Sequence, residues 1–392
     1  MVALIRSHGE PGRGNGAALR FSCAREGKLW YNFREWGDMA ENKFREIFDV
    51  LKTDIIAGKY VGNASLPSAP VLMRRFGVAR ATAVAALKEL ERRGFAKSRR
   101  GKGTFPLNRS IGMILPGVAY SEFFLPVMGA ISRRCQEDGY GLLFGDAYSE
   151  DPIRRAEQTK ALAEDFVAKR VSGVILQPAA LLDNIQAVNG EIVSVFNREK
   201  IPVVLIDNDI VPPPERSCHD LVGINNFEAG RLLGRHLVDA GARRICFLVH
   251  NRCAASVRLR CSGVMSAAGE RHGVKACVLR AEPDEASAIR RFLANARPDA
   301  VVCGNDKTAA RLRQTLARLG KRVPDDVMLA GFDDVQIASI MTPQLTTVRQ
   351  PCEGIAEAAF SALLERMRRP SVPPREILLP ASLVVRESTR RL

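Results

Sequence analysis

Apolar residues in the segment before position 60 recur with the spacing of a helix. The positions, separated by three, one, three and four residues, are Phe44, Ile47, Phe48, Leu51 and Ile55. This period predicts one amphipathic helix that buries these side chains. Gly58 is expected to end it.

Two shorter helices are predicted next. Ser68 stands where a helix N-cap is expected, so a short helix begins there and ends at Gly77. A third helix is expected from Arg80 to Arg93. Its buried positions are Val84, Leu87 and Leu90.

A basic hairpin is predicted after the third helix. Residues 95–98 and 103–105 read as two short strands around the turn Arg99-Arg100-Gly101-Lys102. Helix, helix, glycine turn, helix and hairpin is the order of elements in a winged helix-turn-helix.

After a short hinge at 106–110 the pattern changes to short apolar strands that alternate with helical stretches. The predicted strands are 111–115, 141–145, 173–176 and 203–206, and after a break 244–249, 300–303 and 327–331. Such strands belong to parallel sheets covered on both faces. The chain is therefore predicted to be α/β, with two Rossmann-like lobes, and ligands of such sheets bind beyond the carboxyl ends of the strands. The cleft between the lobes is the expected site.

Charge is concentrated in the predicted helix-turn-helix. The net charge is +15, and residues 42–110 hold 15 Lys and Arg against 5 Asp and Glu, which gives +10 in that segment. A basic domain attracts phosphates and releases counterions when it binds them. Charge alone leaves a merely solvated basic surface as the other interpretation.

The whole chain is expected to have four parts. Residues 1–40, rich in Gly and Pro where they begin, are a poorly ordered extension; 41–105 form the winged helix-turn-helix; 106–110 are a hinge; and 111–392 form the ligand-sensing and dimerisation domain. Nine Cys without a C-x-x-C pair, and no His cluster beside them, indicate reduced thiols in a cytoplasmic protein, with no metal and no cofactor. No apolar run is long enough for a membrane helix, so no membrane partner is expected.

The N-terminal segment resembles the GntR family of bacterial regulators. The resemblance covers about 60 residues and lies in 66–68, 76–82, 87–95 and 99–105. It implies that the third helix enters the major groove of operator DNA while the wing approaches the minor groove, as the chemistry also favours. The candidate DNA-binding residues are Ser68, Arg80, Thr82, Arg99, Arg100, Gly101, Lys102 and Gly103.

Several positions depart from the GntR pattern. Pro70 and Val84 stand where the family commonly has Arg, and Ala79 and Ala81 replace frequent Ser or Thr. These departures predict an altered operator or a larger role for the wing. A domain that has kept its fold but lost DNA binding is the alternative.

The remainder of the chain resembles the sensor domains of LacI/GalR regulators and the periplasmic sugar-binding proteins. The matching pieces occur in order at 123–124, 201–207, 222–230, 258–263, 304–306, 331–334 and 345–350. The resemblance implies a two-lobed periplasmic-binding-protein-like fold. Together with the GntR-like segment it resembles regulators of the arabinose-repressor type.

Candidate ligand-binding residues follow from both the strand ends and the resemblance. They are Phe123, Phe124, Asp207, Arg260, Asn305, Asp333 and Gln350. Phenyl rings suit the C–H faces of sugars, and carboxylate, amide and guanidinium groups suit hydroxyls. Asp306 is instead expected to cap the helix that starts at Lys307, and Asp334 is expected to act similarly.

Two acids and one Arg favour a neutral monosaccharide or polyol, although purines remain open. We expect a homodimer that binds operator DNA as a repressor and changes its affinity when the small-molecule effector binds. A sugar receptor without an active DNA-reading role is the alternative. No catalytic residues are expected, because the chain has no P-loop, G-x-S-x-G or H-E-x-x-H, and no Lys set for a Schiff base.

Overall fold

The computed structural model describes residues 33–56, 59–60, 64–107, 109–115, 117 and 122–390, with backbone alone for 33–41 and 56. The chain divides after residue 107 into an N-terminal and a C-terminal unit. Most of the predicted extension, 1–32, and the predicted helix end at Gly58 lie outside the described residues. The first helix begins at Phe33, within the segment 1–40 that the sequence predicts to be an extension.

The N-terminal unit contains three helices and one hairpin. Its elements are α1 (Phe33–Ile56), α2 (Ala69–Phe76), α3 (Arg80–Arg92), β1 (Ala96–Arg99) and β2 (Gly103–Pro106). The predicted face of α1 is buried at Ile47, Phe48, Leu51 and Ile55 and packs on α3. The order of elements is that of a winged helix-turn-helix, as predicted.

Details of α2 and α3 differ from the predictions. Ser68 is the N-cap of α2, but its side chain makes no capping hydrogen bond. The fully buried positions of α3 are Ala83, Ala86 and Leu90, whereas Val84 and Leu87 are half-buried. Small alanines therefore face the core, which allows α3 to lie close to α1.

The first sheet of the C-terminal unit defines lobe 1. Its strands, in spatial order, are β13 (Glu376–Leu379), β7 (Asp220–Ile224), β6 (Val203–Ile206), β5 (Gly173–Leu176), β3 (Ser110–Ile114) and β4 (Gly141–Gly145). All neighbours are parallel. The helices of lobe 1 are α4 (Phe124–Glu137), α5 (Pro152–Ala168), α6 (Ile185–Arg198) and α12 (Cys352–Arg368).

The second sheet defines lobe 2. Its strands, in spatial order, are β14 (Ser382–Val384), β12 (Thr346–Arg349), β11 (Met328–Asp333), β10 (Ala300–Cys303), β8 (Arg244–Val249) and β9 (Lys275–Arg280). Only β14 is antiparallel to its neighbour. The helices are α7 (Asn226–Asp239), α8 (Ala255–Gly269), α9 (Ala286–Ala296), α10 (Asp306–Arg318) and α11 (Gln336–Ile340), followed by a 3₁₀ turn at Glu387–Thr389.

The described chain passes between the lobes three times. It leaves lobe 1 between β7 and α7, returns between β12 and α12, and crosses again between β13 and β14. Each lobe therefore contains segments from distant parts of the sequence. The same three connections form the hinge between the lobes.

Two glycines let α7 and α8 approach each other closely in lobe 2. A Cβ on Gly230 would lie 2.1 Å from the Arg260 carbonyl oxygen, and one on Gly263 would lie 2.0 Å from the Phe227 carbonyl oxygen. Any larger residue would push the helices apart. This contact fixes Arg260 of α8 beside the start of α7.

Candidate functional site

The N-terminal end of α3 presents an arginine to solvent. Arg80 is the first residue of α3, is exposed, and has no ion-pair partner within the described residues. Thr82, two residues further along the same turn, is half-buried. The first turn of a recognition helix is where base edges and phosphates are reached, so the position of Arg80 suits the predicted role.

The wing carries the other predicted cations. β1 and β2 pair antiparallel with Arg99 opposite Gly103, and the turn between them has Gly101 at φ +72° and Gly103 at φ +105°. Both angles are in the region that favours glycine. Arg99, Arg100 and Lys102 are exposed and form no ion pair in the part of the chain that the structure describes.

Two hydrogen bonds hold the wing in place. The Leu66 N–H donates to the Thr104 carbonyl oxygen at 2.7 Å, which ties β2 to the segment before α2. The Ser98 N–H donates to Glu91 Oε1 at 2.9 Å, and this bond lowers the pKa of Glu91. Glu91, which the sequence pattern did not indicate, joins α3 to the wing through this contact.

In the C-terminal unit, a buried ion pair lies at the carboxyl ends of the lobe 2 strands. Asp333 ends β11, and its Oδ1 accepts from Arg260 Nη1 at 3.2 Å and from Gln350 Nε2 at 2.7 Å. The two charged side chains are 12 % and 5 % exposed. The structure thus brings together three of the predicted ligand-binding residues.

Arg260 is largely committed to protein partners. Its Nε donates to Asn226 Oδ1 at 2.8 Å, its Nη1 also donates to the Gly304 carbonyl oxygen at 2.8 Å, and its guanidinium lies 4.9 Å from the centre of the Phe332 ring. Only Nη2 lacks a partner within the described residues. Asn226, which sequence analysis did not single out, begins the helix that leaves the hinge.

Asp207 approaches the same charges from lobe 1. It follows β6, and burial raises its pKa to about 6, with Arg260 opposing this rise and Asp333 adding to it. Asn208 Nδ2 donates to Asp207 Oδ2 at 2.5 Å, while Asn208 Oδ1 accepts from the Ser256 N–H of lobe 2 at 3.1 Å. The Asn208 side chain therefore bridges the lobes beside Asp207, a role the sequence did not reveal.

Two of these carboxylates sit on strained backbone. Asp207 has φ +68° and Asp333 has φ +105°, both in the left-handed region. Such conformations carry an energetic cost and concentrate at binding and catalytic sites. At the edge of the cleft, Arg252 of lobe 2 also pairs with Asp183 of lobe 1 at 3.1 Å.

The cap prediction for the helix after β10 was off by one residue. Asn305 is the N-cap of α10, and its Oδ1 accepts from the Thr308 N–H at 2.8 Å. Asp306 is instead fully buried and accepts from Thr347 Oγ1 at 2.6 Å and from the Val335 N–H at 3.0 Å. Asn305 keeps its Nδ2 without a partner in the described part of the chain.

Asp334 also differs from the expectation of a helix cap. Its carboxylate forms ion pairs with Arg349 and Arg386, each at 2.6 Å. Two distant arginines satisfy this acid, so it serves the packing of lobe 2.

The phenyl rings of Phe123 and Phe124 lie in the hydrophobic core. They are 5 % and 4 % exposed, with centroids 4.9 Å apart in an edge-to-face arrangement. Neither ring offers the open apolar face expected from the sequence, because α4 begins at Phe124 and turns both into the lobe. Phe123 still borders the site, since its carbonyl oxygen accepts from Cys352 Sγ at 3.9 Å.

Comparison with known proteins agrees with this architecture. Residues 43–105 match the bacterial regulatory proteins of the gntR family, and residues 235–389 match the periplasmic binding protein-like domain. The HTH-type transcriptional repressor PurR of Mannheimia succiniciproducens is 29 % identical over 290 residues, covering 72 % of this chain and 82 % of that protein.

Solved structures give the same fold for the C-terminal unit. The transcription regulator GntR from Chromobacterium violaceum is 26 % identical with a TM-score of 0.57, covering 72 % of this chain and 99 % of that one. A periplasmic binding protein/LacI transcriptional regulator from Alkaliphilus metalliredigens, solved with D-xylulofuranose, is 22 % identical with a TM-score of 0.60, covering 72 % and 100 %.

The fold, the exposed reading surface and these matches define a DNA-binding transcription regulator. More particularly, the chain joins a gntR-type helix-turn-helix domain to a LacI-type, periplasmic-binding-protein-like domain, and its relatives are transcriptional repressors. Both resemblances found in the sequence are confirmed. None of the helices in the described residues has the length and apolar character needed to cross a membrane.

Proposed function

We propose that the chain is a repressor whose operator affinity is controlled by a neutral sugar or polyol bound between the lobes of the C-terminal unit. The observation that carries this proposal is the convergence of Asp207, Arg260, Asp333 and Gln350 at strand ends of both lobes. Ligands of open α/β sheets bind at such strand ends.

The atoms left over at this site suit hydroxyl groups. Within the described residues, Arg260 Nη2 and Asn305 Nδ2 are donors without a partner, and Asp333 Oδ2 and Gln350 Oε1 are acceptors without one. A hydroxyl both donates and accepts, so a polyol matches this mixture. A ligand that lacks one of the hydroxyls would leave a buried polar group unpaired, which supplies specificity.

The charge balance favours a neutral ligand. Asp207, Asp333 and the nearby Asp306 outnumber Arg260, which is already paired with Asp333. An additional anion would meet more repulsion than attraction here. The choice of a sugar therefore depends on the side chains of this chain; the D-xylulofuranose structure supports the fold.

The reading heads are proposed to act in pairs, in the cytoplasm, where the operator lies. Arg80, Thr82 and the wing residues Arg99, Arg100 and Lys102 would contact one half-site, with Ser68, Gly101 and Gly103 at the backbone. A homodimer would set the spacing between two half-sites. Light scattering of the purified chain tests this, and a monomer at micromolar concentration that still binds the operator with full affinity would contradict it.

Ligand binding is tested by the melting temperature of the full chain against sugars, sugar alcohols, uronic acids and nucleosides. At one hundred times its dissociation constant, a ligand that binds only the folded state adds ~2.7 kcal/mol, roughly 5 °C for a unit of this size. We expect a neutral polyol to produce this shift. A nucleoside alone doing so would replace the sugar by a purine-type effector.

The matched variants are Asp333→Asn and Asp239→Asn. Asp333→Asn should abolish the shift, whereas Asp239→Asn, an exposed residue at the end of α7, should leave it intact. The same ligand should lower operator affinity of the wild type. A full shift in Asp333→Asn would move the site elsewhere.

A further inference from the structure

A second cavity lies at the opposite end of lobe 2 from the interlobe cleft. It has a volume of about 530 Å³ and is formed where β8, β10 and β11 begin, together with the C-terminal part of α9 and the segment after α10. The ligand cleft is at the carboxyl ends of these strands. The two sites are therefore separated by the length of the sheet, and the second cavity contains none of the residues proposed for the cleft.

The walls of this cavity carry an excess of positive charge. The cations are Arg244, Arg290, Arg297 and Lys321, and the acids are Asp299 and Asp326. Four cations against two carboxylates leave a net charge of +2 on the lining. A volume of this size is in the range of pockets for small metabolites.

Both acids are already bound to protein donors. Asp299 accepts from Arg244 Nη2 at 2.9 Å and from the N–H groups of Arg243 and Arg244. Asp326 Oδ2 accepts from the Arg322 N–H at 2.8 Å. These bonds hold the pKa of both carboxyls below the ordinary value, so neither acid has to be neutralised by the remaining cations.

The other three cations form no salt bridge within the described residues, and of them Lys321 lies near enough to Asp326 to lower the pKa of that carboxyl. Arg290, Arg297 and Lys321 are exposed and form no ion pair there. Arg297 also holds a left-handed backbone conformation, φ +44°, at the C-cap of α9, where glycine is favoured. A long cationic side chain is thus retained at a position that its backbone geometry disfavours.

Part of the lining of the cavity is apolar and is here called its floor. It consists of Leu293, Leu319 and the buried Val327. An apolar floor with cations on the rim fits a small molecule that has a carbon body and a compact anionic group. Guanidinium forks bind phosphate oxygens in pairs, and a phosphate monoester carries about −1.5 to −2 at neutral pH, which matches the net charge of the lining.

We propose that this cavity binds a small phosphate monoester, as a second effector site independent of the interlobe cleft. Arg290, Arg297 and Lys321 hold the phosphate, and the apolar floor contacts the carbon body. A regulator with both sites reads a neutral ligand and a phosphorylated metabolite separately, one at each end of the lobe 2 sheet.

The test is calorimetric titration of the full chain with glucose 6-phosphate, with glucose and inorganic phosphate as comparison probes. We expect saturable binding of glucose 6-phosphate at this cavity, weakened at least ten-fold in Arg290→Gln/Lys321→Gln. The matched control, Arg291→Gln/Arg318→Gln, removes the same charge from exposed positions of α9 and of the last turn of α10 that do not line the cavity. It should bind as the wild type does.

Three results would overturn the proposal. Equal loss in both double variants would show non-specific attraction to a basic protein. Inorganic phosphate binding as tightly as glucose 6-phosphate would remove the role of the carbon body. Loss of binding in Asp333→Asn would place the probe in the interlobe cleft, whereas retention in that variant supports the second site even if the proposed sugar effector is wrong.

Discussion

The two units of the chain use arginine in opposite ways. In the N-terminal unit, Arg80, Arg99 and Arg100 are exposed and have no acidic partner among the described residues. In the C-terminal unit, Arg260 is buried and bound to Asp333, Asn226 and the Gly304 carbonyl. The same side chain is kept available in one unit and almost saturated in the other.

The difference reflects the two ligands. DNA is a dense line of negative charge, so free cations attract it from a distance and displace its counterions. A neutral polyol exerts no such attraction, and it is recognised only by groups already fixed in direction. In the proposed site, Arg260 would act by orienting Asp333, which leaves the outer carboxylate oxygen for the ligand.

The largest effect is expected from replacing the buried Arg260. Replacement by Met should destabilise the chain by about 3–5 kcal/mol, because Asp333 would remain buried without its partner. Urea denaturation followed by circular dichroism measures the change. Arg258→Gln, an exposed position on the same helix, should change stability by less than about 0.5 kcal/mol; equal effects would mean that the buried pair is not special.

Asp207 gives the next largest effect through pH. Burial raises the pKa of Asp207 to about 6 in the folded chain, from 3.8 for an ordinary aspartate. Protonation of Asp207 therefore stabilises the folded chain fully below pH 4, and this stabilisation is lost as the pH rises through 6. Asp207→Asn lacks the loss. Its stability relative to wild type should therefore rise by up to ~3 kcal/mol between pH 4 and 7, as urea denaturation at a series of pH values measures.

If the difference in stability between Asp207→Asn and the wild type stayed constant across that pH range, the raised pKa of Asp207 would be contradicted. Asp183→Asn provides the control, because this carboxyl is 87 % exposed. It should show a flat difference.

Arg80 tests the reading surface. Arg80→Ala should weaken operator binding by about 1–3 kcal/mol, roughly five- to 150-fold, without changing the ligand-induced shift in melting temperature. Fluorescence anisotropy with an operator selected from a random pool measures it. Arg92→Ala, at the other end of α3 and paired with Glu89, should bind almost as the wild type does, and unchanged binding by Arg80→Ala would remove that residue from the interface.

The smallest effect is expected in the wing. Lys102→Gln should reduce the slope of log affinity against log salt by about 0.9, because one phosphate contact is lost, while sequence preference is retained. Titrations at four salt concentrations give the slope. The control is Lys43→Gln, which removes a cation that pairs with Glu46 on α1 and should leave the slope unchanged. A change in base preference with Lys102→Gln would instead show that the lysine contacts the bases.

The central strands of both lobes were predictable because they are apolar on both faces. The predicted central strands at 173–176, 203–206, 244–249 and 300–303 agree with the observed bounds, and so does the edge strand β4 at 141–145. The missed strands include the buried β7, which begins with Asp220 and contains Gly223, and two strands of a different character. β9 is mostly exposed at a sheet edge, and β12 buries Thr346 and Thr347 through hydrogen bonds to distant partners.

The candidate cleft was predictable in its strand-end residues and unpredictable in its partners. Asp207 and Asp333 follow strands that the apolar pattern identifies, whereas Gln350 follows β12, which that pattern missed. The cap at Asn305 and the burial of Asp306 were reversed because Thr347, 41 positions away, provides the hydrogen bond that draws Asp306 inward. Asn208 and Asn226 act through contacts to other segments, which no local pattern contains.

The last two strands of the chain, β13 and β14, complete opposite lobes. β13 pairs with β7 of lobe 1 and β14 with β12 of lobe 2, so the sheet of lobe 1 joins residues about 150 positions apart. During synthesis, the β7 edge of the lobe 1 sheet therefore stays unpaired until β13 has been made. Until then this edge is exposed to chaperones and to other nascent chains. A stop codon before Glu376 would leave both lobes incomplete at once, so a short loss at this end should act as a null allele.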